Sequence, residues 1–217
     1  MKKYKVILFD LDGTLSDSQE GIVKSIQYSL KKLGIIEDDL LKLKSSIGGS
    51  LADIYTKWYG LSPEIAQEGI RLYRERFEKE GIFENNLFYG VKDLLANLKD
   101  SGKILGLATA KPNIYAEQIL IKEDIRKYFD VVVGADFNNN QKTKSDIIRL
   151  AIEAVSFDNK QDYIMVGDRY HDIVGANDNG IDSVAVTYGY GELAELTKPQ
   201  PKMIVNSVAE LTKVLLI

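Results

Sequence analysis

FDLDGTLSDS, residues 9–18, closes the apolar run Val6-Ile7-Leu8-Phe9 with two carboxylates, Asp10 and Asp12, separated only by Leu11. Asp-Gly pairs mark turns in general, so one aspartate here is accounted for as a turn or helix-capping residue. Two are harder to account for, because like charges at a strand end repel unless a cation lies between them. A second strand-end sequence, VGDRYHD at residues 166–172, adds Asp168 and Asp172.

Working outward, the runs Val6 to Asp10, Ile104 to Thr109, Val131 to Ala135, Tyr163 to Asp168 and Ser183 to Thr187 are short, β-branched and almost continuously apolar. Such runs predict strands buried on both faces. Helical patterns lie between them. Val91, Leu94, Leu95 and Leu98 form an i, i+3, i+4, i+7 stripe with Gly102 as a stop, and Ile147, Ile148, Ala151 and Val155 form another. Strand and helix in alternation predict an α/β fold, a parallel sheet covered on both faces. Ligands of such sheets bind beyond the carboxyl ends of the strands, where Asp10, Thr109 and Asp168 are expected.

From about Leu15 to Phe88 the pattern offers helices and no convincing strand. One spans Asp17 to Leu33 with Ile22, Ile26, Leu30 and Leu33 on a stripe; a second opens at Ser62-Pro63-Glu64, where Ser is an N-cap and Pro a first-turn residue. It continues over residues 64 to 80 with Ile65, Leu72, Tyr73 and Phe77 expected on the buried face. The expected division is therefore 1–15 and 89–217 as an α/β core and 16–88 as an all-helical insertion. Asn138-Asn139-Asn140 reads as a short polar loop.

The 217 residues carry 28 Lys+Arg and 32 Asp+Glu, a net charge of -4, which provides no electrostatic footprint for a nucleic-acid polymer or an anionic membrane. There is no cysteine, so disulfides, thiolate metal sites and thiol nucleophiles are excluded. MKKYKVILFD is apolar over too few residues for a secretory signal, and no run approaches the ~18 apolar residues of a membrane span. A cytoplasmic chain is the expectation.

Clustered carboxylates with oxygen donors at a parallel-sheet edge suit a hard divalent ion, Mg2+ above others. An EF-hand does not fit, since Asp10-Leu11-Asp12-Gly13 follows a strand and lacks the later ligand positions. A metal with a carboxylate beside it suits phosphoryl transfer, because it neutralises phosphate oxygens that would repel an anionic nucleophile. Asp10 would be that nucleophile. Asp12, two positions on and on the same side of an extended chain, would protonate the leaving oxygen and then deprotonate water.

FDLDGTLSDS resembles the DxDGT first motif of the haloacid dehalogenase superfamily, whose members mostly hydrolyse phosphate esters. ILGLATAK (104–111), QKTKSDIIRLAI (141–152) and VGDRYHD (166–172) resemble its second, third and fourth motifs, in order and across essentially the whole chain. The resemblance implies a Rossmann-like core with a helical cap. It implies that Thr109 and the Ala110 amide take phosphate oxygens, that Lys144 neutralises nucleophile and phosphate, with Lys142 and Lys111 as competitors, and that Asp168 ligates the metal directly while Asp172 acts directly or through water. Metal ligands are thus expected among Asp10, Asp12, Asp168 and Asp172. His171, the only histidine, is expected to orient a loop.

Asp12 argues against the dehalogenase and phosphonate-hydrolase branches, which lack that acid; phosphatases and sugar phosphomutases share it. YRERFEKEGIFENNLFYGV and GDRYHDIVGANDNGIDSVAVTYGYGELAEL are most similar to the branch of phosphoglycolate phosphatase-like proteins and 5'-nucleotidases, with Tyr89-Gly90 where many relatives have Pro-Gly. The expected substrate is a small phosphorylated metabolite, a nucleoside 5'-monophosphate or phosphoglycolate. Gly49, in Ser46-Ile47-Gly48-Gly49-Ser50-Leu51, is a candidate substrate contact or an ordinary interhelical turn, and Arg74 and Arg76 are candidates for an anionic substrate. A phospho-Asp regulatory module of the response-regulator type is the alternative outside enzymes; its shorter domain has no place for residues 15–88.

Overall fold

Val6-Ile7-Leu8-Phe9 forms the central strand of the computed structural model, which describes residues 3–136 and 142–216; the loop at Asn138-Asn139-Asn140 lies outside the described residues. All four residues are fully buried, the burial expected of a strand covered on both faces. This strand, β1, pairs in parallel on one side with β2 (Ile104–Pro112) and on the other with β4 (Tyr163–Gly167). Beyond them lie β3 (Val131–Ala135), β5 (Asp182–Val186) and β6 (Met203–Val205), giving the order β3-β2-β1-β4-β5-β6. The chain first builds outward on one side of β1 and then crosses to the other, so the order reverses between β1 and β4. That reversal is where open parallel sheets bind ligands.

Successive residues of β1 point to opposite faces. Val6 and Leu8 join Ala108, Tyr163 and Met165 under the helices Lys144–Val155 and Tyr170–Asp178, through Ile147, Ile148, Ala151 and Ala176. Helix Lys144–Val155 starts sharply: Thr143 Oγ1 accepts from Asp146 N at 3.2 Å while Thr143 N donates to Asp146 Oδ2 at 3.0 Å. The expected stripe Leu94, Leu95 and Leu98 is buried on helix Val91–Asp100.

Contacts divide the chain into two units, Met1–Asp17 with Leu87–Ile217, and Ser18–Asn86. In the second, helix Gln19–Lys32 buries Ile22, Ile26 and Leu30 and packs against helix Pro63–Arg76. Ser62 caps the latter, its Oγ accepting from Ile65 N at 3.4 Å.

Three expectations need correction. Ile65 is exposed rather than buried, because the whole first turn, residues 62–65, is exposed and burial starts at Ala66. Residues 15–88 do contain strand, the two-residue pieces Ser16–Asp17 and Asn86–Leu87. The sheet also has a sixth strand, Met203–Val205, whose three residues include a half-exposed Ile204 and so lack a buried apolar run. No helix among the described residues is long and apolar enough to cross a membrane.

Candidate active site

The register Phe9↔Val166 places the residues after β1 and β4 side by side at the sheet's switch point. Asp10 N donates to Val166 O at 2.9 Å, which fixes the first acid against the second strand. The chain then turns tightly: Gly13 N donates to Ser16 O at 2.8 Å and Leu15 N to Leu11 O at 2.9 Å. Gly13 has φ +85°, and a Cβ on it would lie 2.1 Å from Asp168 Oδ2. Only glycine both adopts that backbone and leaves room for the second acid.

Asp10, Asp168 and Asp172 come together, with one carboxylate oxygen from each lying within 4.8 Å of the others. Asp168 is held by Thr14 Oγ1, donating at 3.2 Å to Oδ1, and by Tyr190 N, donating at 2.8 Å to Oδ2. Asp172, in the first turn of helix Tyr170–Asp178, accepts from Arg169 N at 3.0 Å through Oδ2. Lys144, the first residue of its helix, bridges two of the three: Nζ lies 2.6 Å from Asp10 Oδ1 and 2.7 Å from Asp172 Oδ1. Of the three candidate lysines, Lys144 is thus the one on Asp10, whereas Lys142 pairs with Asp136 at 2.9 Å and Lys111 with Asp12 at 2.8 Å.

These groups are buried, and burial sets their proton affinities. It pushes the Asp10 carboxyl up to about 6; Lys144 pulls the other way, and the Asp172 and Asp12 charges add to the rise. Asp168 is raised well above the ordinary range by burial, with the Asp10 and Asp172 charges adding to it. Burial opposes the charge on Lys144, yet the two carboxylates outweigh it and hold the ammonium above the usual lysine range. Three acids facing one lysine leave a surplus of negative charge in a desolvated place. Three oxygen donors carrying that surplus fit a hard divalent cation.

The Asp12 carboxylate stands outside that group of three. Its Oδ2 is on Lys111, and its Oδ1 is buried with no hydrogen-bond partner among the described residues. Thr109 is buried on β2, its Oγ1 accepting from Lys111 N at 3.2 Å, which leaves the hydroxyl proton to donate. Ala110, between them, is exposed.

Two of the remaining candidates, Gly49 and Arg76, belong to the unit Ser18–Asn86. Gly49 sits in the turn of the helical unit that joins two short helices, its N–H donating to Ser46 O at 3.1 Å. Arg76 of that unit is engaged by Glu84 at 2.9 Å and Glu80 at 3.3 Å. His171 is exposed within a helix, edge-on to Tyr170. Sequence reading missed Thr14 and Tyr190. Thr14 belongs to the quoted motif and carried a readable hydroxyl, whereas Tyr190 reaches Asp168 through its backbone, which no residue type announces.

The haloacid dehalogenase-like hydrolase family model matches residues 7–186, a span that includes all of these acids and Lys144. A 5'-nucleotidase of Pseudomonas aeruginosa is 37% identical, with 98% of this chain and 96% of that protein covered. The tyrosine-protein kinase PtkA of Mycobacterium tuberculosis is 35% identical over 94% of this chain and 69% of its own length. A crystal structure of a predicted phosphatase from Clostridium acetobutylicum superposes with a TM-score of 0.93 at 42% identity, covering 99% of both chains. The chain belongs to the haloacid dehalogenase-like hydrolases and is an enzyme of their phosphatase kind.

Proposed function

We propose that the protein is a Mg2+-dependent phosphomonoesterase that hydrolyses a small phosphorylated metabolite through a phosphorylated Asp10. The observation that carries this is the buried Asp10–Lys144–Asp172 bridge beside Asp168, a nucleophile paired with a cation within a group that holds surplus negative charge. Asp10, Asp168 and Asp172 are the residues to hold the ion, with Asp12 beside them; when bound, it neutralises phosphate oxygens and the acids together.

The chain's own groups supply the steps. Thr109 Oγ and the Ala110 N–H donate to non-bridging phosphate oxygens, and the Lys144 ammonium offsets their charge. Asp10 attacks phosphorus while Asp12 gives a proton to the leaving oxygen; water then attacks the phosphorus, Asp12 takes its proton and Asp10 is released. Ser18–Asn86 takes the part of the cap implied by the resemblance, which selects the leaving group. Gly49 is its candidate substrate contact.

The relative named 5'-nucleotidase makes a nucleoside 5'-monophosphate the first substrate to test, and the family branch makes phosphoglycolate the second. The measurement is phosphate release with Mg2+ across nucleoside monophosphates, phosphoglycolate and sugar phosphates, compared by kcat/KM. Free inorganic phosphate from a hexose phosphate supports hydrolysis; an isomeric hexose phosphate would make the protein a mutase. Absence of release from every monoester, or a long-lived phosphoaspartate without turnover, would overturn the reading.

A further inference from the structure

Lys111, another buried lysine of the core unit, has no part in the steps above. On β2 the burial alternates, with Thr109 inward, Ala110 outward and Lys111 inward again, so Thr109 and Lys111 share one side of the strand. The pairing with β3 shifts register between Ala108 and Pro112, in the segment that carries all three residues. Lys111 Nζ lies 2.8 Å from Asp12 Oδ2, with side chains only 6% and 13% exposed. The other Asp12 oxygen, Oδ1, is buried without a hydrogen-bond partner among the described residues.

A buried carboxylate oxygen without a partner is costly, and native structures keep few of them. Here the asymmetry has a use, because one oxygen is tied down and the other is left for a partner that comes and goes. We propose that Lys111 is a positioning residue for proton transfer: by holding Asp12 Oδ2 it makes Oδ1 the oxygen that exchanges protons with the reacting groups. This rests on the phosphomonoesterase reading of Asp10 and Asp12. In the first half-reaction the proton on Oδ1 moves to the leaving oxygen as the bond from that oxygen to phosphorus breaks with its electron pair and the Asp10–phosphorus bond forms. In the second, a water oxygen bonds phosphorus, the Asp10–phosphorus bond breaks, and the water proton goes to Oδ1. Lys111 exchanges no proton in either.

A residue that acts through the general acid matters in proportion to how much the leaving group needs its proton. Nitrophenolate leaves without protonation, whereas the alkoxide of an alkyl phosphate does not. The test is kcat/KM of the full chain with Mg2+ on p-nitrophenyl phosphate and on an alkyl monophosphate such as a nucleoside 5'-monophosphate, for wild type, K111M, K111R, D12N and K111M/D12N. General acid–base catalysis contributes ~10²–10⁴-fold, so K111M is expected to lose roughly 10–100-fold more on the alkyl than on the aryl ester. K111R, which keeps the charge, recovers part of that difference. K111M added to D12N lowers kcat/KM by no more than about 3-fold further, since residues acting as a unit are not additive.

Equal losses on the two esters, or an undiminished effect of K111M in the D12N background, would overturn the proposal and make Lys111 a phosphate ligand or a support of β2. If K111M does not fold, K111R and K111Q carry the same comparison, with thermal melting as the check on folding. Wild-type protein that releases phosphate from neither ester, or D10N that releases it from both, would overturn the reading of the site and the proposal with it. Lys111 variants that lose both esters equally beside an active wild type sink the proposal alone.

Discussion

Each unit of the chain holds a partly or fully buried cation among acids, and the two differ in balance. In the core unit Lys144 faces Asp10 and Asp172 at 2.6 and 2.7 Å with Asp168 beside them, so carboxylates outnumber ammonium where water is excluded. In the helical unit Arg76 meets Glu84, which also receives Lys24 Nζ at 3.0 Å, and the acids there remain at least a fifth exposed. There two cations, Arg76 and Lys24, meet three acids that water still reaches, Glu20, Glu80 and Glu84, and such a half-solvated cluster contributes modestly to stability. A desolvated cluster with surplus charge is held together by the rest of the fold, and it is suited to receive a cation and an anion that does chemistry.

The largest expected consequence of that surplus is catalytic. Asp10→Asn removes the proposed nucleophile while keeping shape and a hydrogen-bond acceptor for Lys144, so kcat for phosphomonoesters should fall by at least ~10³-fold with melting behaviour retained. Activity within tenfold of wild type would displace Asp10 from the nucleophile's role. The next effect falls on stability. Lys144→Met strands Asp10 and Asp172 without their cation, and breaking a buried pair costs about 3–5 kcal/mol. The loss should be greater at pH 8 than at pH 5, because the stranded acids can take up protons; a loss that is the same at both pH values, by urea unfolding in EDTA, would remove this account.

How much of this was readable in the sequence depended on what each residue contributes. Asp10, Lys144, Asp168 and Asp172 act through charged side chains placed at strand ends and a helix start, positions that hydrophobic periodicity locates well. Tyr190 acts on Asp168 through its backbone N–H across 22 positions of chain, and a backbone contact has no signature in residue type. Lys111 was visible only as a rival for the place of Lys144, since nothing in the sequence tells which buried lysine meets which acid. The edge strand Met203–Val205 was lost for a different reason: three residues with one half-exposed make no buried run, whereas β1 is apolar and buried throughout.

A subtler effect follows from Asp10 alone. Its proton affinity is raised in the fold, so the protonated form is the favoured one. The stability it contributes is fully present below the ordinary carboxylate pKa near 4 and is lost as pH rises through about 6. Metal-free protein should therefore be less stable at pH 7 than at pH 5, with Asp10 contributing roughly 1–2 kcal/mol of the difference. Unfolding in EDTA across this range, with D10N as the variant lacking the titrating group, isolates the contribution. Saturating Mg2+ should flatten the dependence by favouring the carboxylates. Identical pH profiles for wild type and D10N without metal would show that Asp10 is not strained in this way.

The smallest effect is expected at Arg76. It meets Glu84 through two parallel hydrogen bonds, Nη1 to Oε2 at 2.9 Å and Nη2 to Oε1 at 3.0 Å. Removing it by Arg76→Met does not strand its partner, because Glu84 keeps Lys24 and is 22% exposed, so water can complete its solvation. The cost should be about 1 kcal/mol, with little change between pH 5 and pH 8, since no buried acid is left to take up a proton. Measured beside Lys144→Met under the same conditions, Arg76→Met should lose less than half as much stability. Equal losses would mean that burial of the cation, rather than the surplus of acid around it, sets the cost, and the distinction between the two clusters would fail.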